Sequence, residues 1–181
     1  MKMAVEPWQR AETPGTKKAR VIEKPESIAA MIKRAKQPIF IVGHKAAEAE
    51  GGEKKSIDHV IRIAKAAKIP VVATAQTVNA FLERDFKPAA WMSAMDIGNR
   101  LTDQFWNISG KGGPHDLAII LGLPYYMEYV IDSGLKTFAP KLKTISLDRF
   151  YQPHCGLSFP NLSPTDWYKN LETIAKELEQ K

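Results

Sequence analysis

The chain has 181 residues, 44% of them hydrophobic and 25% charged, a composition that suits one globular domain and excludes fibrous, collagen-like and wholly disordered classes. Its longest apolar run, Leu117 to Leu123, is interrupted by Gly122 and falls far short of the ~18 residues a membrane-spanning helix needs. Cys155 is the only cysteine, so the chain alone can form no internal disulfide, no four-cysteine zinc site and no iron-sulfur cluster.

The 26 Lys and Arg outnumber the 20 Asp and Glu, but they are interleaved with acids from Lys17 to Lys169 and form no long block. A solvated basic surface is therefore expected, and nucleic acid is not an expected partner. The opening residues carry no apolar stretch of the kind a secretory signal requires, which sets the expectation of a cytoplasmic location.

Residues 1–24 are polar, contain Pro7, Pro14 and Gly15, and show no periodicity. They are expected to form an extended arm that is ordered only against something else, with residues 25–181 as a single domain. Pro25 suits a first helical turn, and Ile28, Met31, Ile32 and Ala35 recur at helical spacing to about Lys36. Pro38 then opens a continuous apolar run, Ile39-Phe40-Ile41-Val42, that ends at Gly43 and reads as a strand buried on both faces. Ser56 can cap a helix whose inner face is Ile57, Val60, Ile61, Ala64 and Ala67, and Val71-Val72-Ala73 is the next strand. Helices are expected around Asn79 to Leu82 and from Ser93 to Phe105, and a central strand at Leu117 to Leu121. Pro124 starts a further helix carrying Tyr126, Val130 and Ile131, and Thr144 to Leu147 is another strand. After a short extended piece at Leu157-Ser158-Phe159, Ser163-Pro164 begins a last helix with the stripe Trp167, Leu171, Ile174 and Leu178.

Apolar strands alternating with amphipathic helices specify an α/β fold, doubly wound and Rossmann-like, with a parallel sheet covered on both faces. Ligands collect beyond the carboxyl ends of such strands, where the strand order reverses. That rule lines up Gly43-His44, Thr74 to Gln76, Gly122 to Tyr125, and Asp148 to Phe150 along one edge. None of these loops carries the three-glycine dinucleotide fingerprint or a Walker phosphate loop. Gly110 to Gly113 is glycine-rich but precedes a strand, the wrong end for a phosphate-binding helix terminus.

Among the histidines, His59 is expected to be exposed on its helix, His115 precedes a strand, and His44 and His154 fall at the carboxyl edge. His154-Cys155 supplies too few ligands for zinc, and a Cys155 nucleophile paired with His44 has no catalytic elbow around it. Tyr126 is expected to pack, while Tyr125 and Tyr151 follow strand ends and could wall a flavin or adenine ring or anchor a protein partner.

Three segments carry a family resemblance: Pro114 to Tyr126 (PHDLAIILGLPYY), Lys143 to Pro153 (KTISLDRFYQP) and Ser158 to Leu162 (SFPNL), supported by Ile32 to Pro38 ahead of the first strand. The chain resembles the epsilon-subunit family of archaeal acetyl-CoA decarbonylase/synthase complexes, the small partners of a carbon monoxide dehydrogenase, over nearly its whole length from Pro25. Through that family it also resembles the middle domain of thiamine diphosphate enzymes and the wider flavin- and NAD-binding folds. The resemblance implies a sheet of about six parallel strands and association with a large alpha subunit that carries the nickel and iron-sulfur clusters, in an alpha2epsilon2-type assembly. It implies a non-catalytic role: binding and stabilising that subunit during reversible acetyl-CoA synthesis or cleavage, in methanogenesis or carbon fixation. The alternative is a flavin-binding electron-transfer adaptor. For FAD the residues would be Gly43 and His44 near the phosphates, Thr74 and Gln76 as hydrogen-bonding groups, Gly122 at the crevice, Tyr125 stacking, and Asp148 or Arg149 on ribose or phosphate. Trp8, Trp91, Trp106, Tyr125 and Tyr151 are candidate contact anchors, at least one of them expected to be exposed, and the free chain is expected to pair with itself as a homodimer.

Overall fold

A computed structural model of the chain describes residues 17–48, 56–110 and 112–180, so Trp8, most of the expected arm and the charged loop after Glu48 lie outside the described residues. The strands are β1 (Arg20–Val21), β2 (Pro38–Val42), β3 (Val71–Ala73), β4 (Ala90–Trp91), β5 (Leu117–Leu121), β6 (Lys143–Ser146) and β7 (Leu157–Ser158). The helices are α1 (Pro25–Arg34), α2 (Ser56–Ala67), α3 (Val78–Leu82), α4 (Ala94–Thr102), α5 (Tyr125–Phe138) and α6 (Pro164–Glu179).

All strand pairs are parallel, in the order β1-β7-β6-β5-β2-β3-β4. The two continuous apolar runs, β2 and β5, lie side by side at the centre with Pro38 opposite Leu117 and Val42 opposite Leu121. Because side chains alternate across a strand, each run serves two cores. Phe40 and Val42 join Leu117, Ile119 and Leu121 under α1, α2 and α6, whereas Ile39 and Ile41 join Ala118 and Ile120 under α4 and α5.

The sheet has seven strands, where about six were expected. Its two edges, β1 and β4, are two residues each, too short to leave an alternating pattern. β1 pairs Arg20 with Leu157 and Val21 with Ser158, so the end of the expected arm belongs to the sheet. Helix α4 stops at Thr102, short of Phe105, because the Asp103 carboxylate accepts the Phe105 N–H at 2.9 Å and turns the chain. His59 is mostly buried, with its side chain 12% exposed and its Nε2 3.4 Å from Glu172, so the expectation of an exposed histidine is corrected. Tyr126 is exposed, because α5 turns Glu128, Ile131, Asp132 and Leu135 inward and Tyr126 away.

The connection from β6 to β7 contains no helix among the described residues. It runs back along α5, with the Gln152 side-chain amide donating to the Tyr125 carbonyl at 3.1 Å and the His154 ring edge-on to Tyr129 at 4.4 Å. That unusual crossover sets polar groups against the inward face of α5.

Candidate functional site: the carboxyl edge of the central strands

Strands β2 and β5 are neighbours, while β3 and β4 continue to one side and β6 and β7 to the other. The order therefore reverses between the loops that follow β2 and β5, where a doubly wound sheet would place a ligand. Here the two loops touch. Gly43 donates its N–H to the Leu121 carbonyl at 2.9 Å, and Lys45 donates to the Gly122 carbonyl at 3.0 Å. A Cβ on Gly43 would lie 2.2 Å from the Gly122 carbonyl oxygen, so only glycine permits this approach. Gly122 itself has φ +81°, a left-handed conformation that glycine adopts freely.

The amide of Gly122 is the donor a bound phosphate would seek, and it is already taken. It donates to both carboxylate oxygens of Asp148, at 2.9 and 3.1 Å. Arg149 is likewise engaged, donating to the Leu162 carbonyl at 3.1 Å with its guanidinium 4.0 Å above the Phe150 ring. Tyr125, Asp148 and Arg149 line a cavity of about 30 Å³ with Lys45, Leu123 and Trp167, enough for roughly one water. His44 lies 3.8 Å from the Glu48 carboxylate. The Thr74 hydroxyl is 2.9 Å from that of Thr77, and Gln76 projects into solvent.

The structure thus gathers Gly43, Gly122, Tyr125, Asp148 and Arg149 and leaves His44, Thr74 and Gln76 along the same edge without joining them. In this arrangement the residues do not fit a flavin dinucleotide. Cofactor pockets run to several hundred Å³, and the Asp148 carboxyl already occupies the Gly122 amide that a phosphate would need. Tyr151 does not wall the crevice either: it is buried, and its hydroxyl donates to the Ala19 carbonyl at 2.6 Å. That bond ties the crossover to the residues leading into β1.

Behind the crevice, between α5 and the crossover, lies a seam of buried polar groups. Glu128 and Asp132 are one turn apart on α5 and fully buried, with Ser146 and Gln152 beside them. The Gln152 amide donates to Glu128 Oε2 at 3.3 Å. Glu128 Oε1, both Asp132 oxygens, Ser146 Oγ and Gln152 Oε1 have no well-formed hydrogen bond among the described residues. Burial pushes the Glu128 carboxyl well above the ordinary range, helped by the charges of Asp148 and Asp132. Burial likewise pushes Asp132 up to about 7 against an adjacent Cys155 that lowers it, while Asp148 raises it further. The Cys155 thiol is itself pushed up by burial and by both carboxyls, the reverse of what activates a nucleophile. No group of three or more His, Cys, Asp or Glu among the described residues could hold a metal ion. The seam was missed in the sequence, although its signal was present: acids at positions 128 and 132 share the inward stripe with Ile131 and Leu135.

Residues 1–175 match the family model described as CO dehydrogenase beta subunit/acetyl-CoA synthase epsilon subunit. A relative named acetyl-CoA decarbonylase/synthase complex subunit epsilon, from Methanothermobacter thermautotrophicus, is 33% identical over 171 residues, 94% of this chain and 95% of its own. The protein named subunit epsilon 1 of that complex in Archaeoglobus fulgidus is 37% identical over 159 residues, 86% of this chain and 83% of its own. The corresponding subunit epsilon 1 of Methanosarcina barkeri is 35% identical over 155 residues, 85% of this chain and 86% of its own.

Proposed function

The chain belongs to the CO dehydrogenase beta subunit/acetyl-CoA synthase epsilon subunit family, and from that membership we propose that it is a non-catalytic accessory subunit of an acetyl-CoA decarbonylase/synthase complex. It binds and stabilises the large carbon monoxide dehydrogenase alpha subunit, in an alpha2epsilon2-type assembly. The observation that carries this reading is the length of the likeness: the family model spans residues 1–175 and the relatives are covered almost end to end. Two features support it. With Cys155 alone, the chain cannot itself ligate an iron-sulfur cluster, so the nickel and iron-sulfur chemistry belongs to the partner. The crevice at the strand ends is closed by backbone contact, with its phosphate donor committed to Asp148.

The test is co-expression with the large subunit followed by size-exclusion chromatography and thermal inactivation. Co-elution, together with slower loss of the partner's CO oxidation on heating, is expected; separate elution at micromolar concentration overturns the reading. FAD titrated into the chain and into the complex distinguishes the adaptor role. Unchanged flavin fluorescence in both is expected, whereas stoichiometric quenching would move the assignment to a flavin carrier.

A further inference from the structure

Another cavity lies at the opposite end of the sheet from the crevice. It is a groove of about 600 Å³ at the amino-terminal ends of β6 and β7, rimmed by Lys17, Lys18, Arg20, Lys136 and Lys143 and containing no Asp or Glu in its lining. Its floor is largely uncharged, with Met31, Leu142, Thr144, Cys155 and Leu157 among the residues that form it. The five cations come from three separate stretches of chain: the approach to β1, the end of α5 and the start of β6. Helix-end electrostatics explain at most Lys136, which suits the negative end of α5 and donates to the Lys17 carbonyl. The crowding has a cost, since burial and the Lys17 charge together lower the pKa of Lys136. We propose that this groove receives an extended acidic segment of a partner protein, its carboxylates meeting the cationic rim and its backbone running beside β1.

Three observations select that occupant. β1 is the terminal strand of the sheet and pairs only with β7 among the described residues, the kind of sheet-edge position that strand addition uses. The cations come from separate stretches of chain and are spread along the rim rather than gathered at one point, which suits carboxylates spaced along a segment. The chain's own residues 1–16 supply no net countercharge, because Lys2 and Arg10 balance Glu6 and Glu12. The proposal rests on the accessory-subunit reading for the existence of a partner, and its test does not use that partner.

The experiment titrates the full chain into a fluorescein-labelled peptide of about ten residues alternating Glu and Ser, read by fluorescence anisotropy. Saturable binding that weakens with added salt is expected. The double variant Lys17→Glu/Lys143→Glu should weaken it by about tenfold or more, as reversing charges at a contact does. The control Lys24→Glu/Lys87→Glu makes the same change in net charge on exposed positions away from the groove and should leave binding within about twofold. Thermal unfolding of both variants verifies folding. Equal weakening by the two variants, absence of saturable binding, or complete competition by inorganic phosphate at matched ionic strength each overturns the proposal. Separate elution of the wild-type chain and the large subunit would overturn the accessory-subunit reading and leave this result standing.

Discussion

Gly122 sits at φ +81°, and a Cβ there would lie 2.6 Å from the Ala46 amide nitrogen. Left-handed backbone and overpacking each cost a side chain ~1 to 2 kcal/mol or more, so Gly122→Ala should destabilise the fold by about 2 to 4 kcal/mol in urea unfolding. A loss below about 1 kcal/mol would mean the two loops part readily, which would reopen the crevice to a ligand. Asp132 gives the opposite kind of outcome. Burial pushes its carboxyl up to about 7 in the fold, from an ordinary value of 3.8. The native state therefore holds a proton that the unfolded chain releases, and stability falls as pH rises between those two values. Above about 7 the penalty is complete; below 3.8 it is absent. Asp132→Asn should accordingly stabilise the protein at about pH 8, by up to about 4 kcal/mol, with the gain shrinking as pH approaches 4. A constant gain at every pH would show that packing, not charge, is responsible. At this scale the sequence marked Gly43, Gly122 and Asp148 as neighbours through the strand-end rule. It did not reveal that they bond to one another, because the approach depends on two loops about eighty residues apart.

Elements were legible where burial on both faces forced long apolar runs, as in β2 and β5, and where caps and stripes coincided, as in α6. Ser163 accepts the Asp166 N–H at 3.1 Å, with Pro164 at the first helical position. Ser163→Ala should cost about 1 kcal/mol in thermal or urea unfolding, because one helix-end donor loses its acceptor. Arg62 offers a contrast: it bridges α2 to α6 through Glu172 at 2.6 Å and Glu179 at 2.9 Å, holding both carboxyls below their ordinary range. Stability from these depressed carboxyls is present above their unfolded pKa and lost as pH falls through the lower folded values. The side chains are partly exposed, so Arg62→Ala should cost less than about 1 kcal/mol at neutral pH and less still in high salt. Urea unfolding at two salt concentrations reads both. What stayed illegible were elements defined by partners: β1 and β4 are strands only because β7 and β3 lie beside them. The crossover between β6 and β7 is ordered by contacts with α5 that no local periodicity encodes.

Contact surfaces gain from side chains that release water on binding, and the five aromatic candidates sort differently in the folded chain. Tyr151 is core, Trp106 packs against α4's side of the sheet and 5.3 Å from the His115 ring, and Tyr125 is half-buried at the crevice. Trp91 alone among the described candidates is strongly exposed, at 60%, on the edge strand β4. Met95, at the start of α4, is also exposed. An exposed edge strand bearing a tryptophan is a natural contact site, since the open backbone and the indole both gain from a partner. The groove beside β1 lies at the other edge of the same sheet, so the molecule presents one charged and one aromatic border. Trp91→Ala should therefore leave urea unfolding within about 0.5 kcal/mol of the parent, as surface substitutions do. It should weaken either self-association or binding to the large subunit by about 2 kcal/mol if the indole is an anchor. Sedimentation equilibrium of the free chain across a concentration series, with and without the large subunit, separates the two. A variant that pairs and binds as the parent does would remove Trp91 from any interface and leave the charged border to carry the contact.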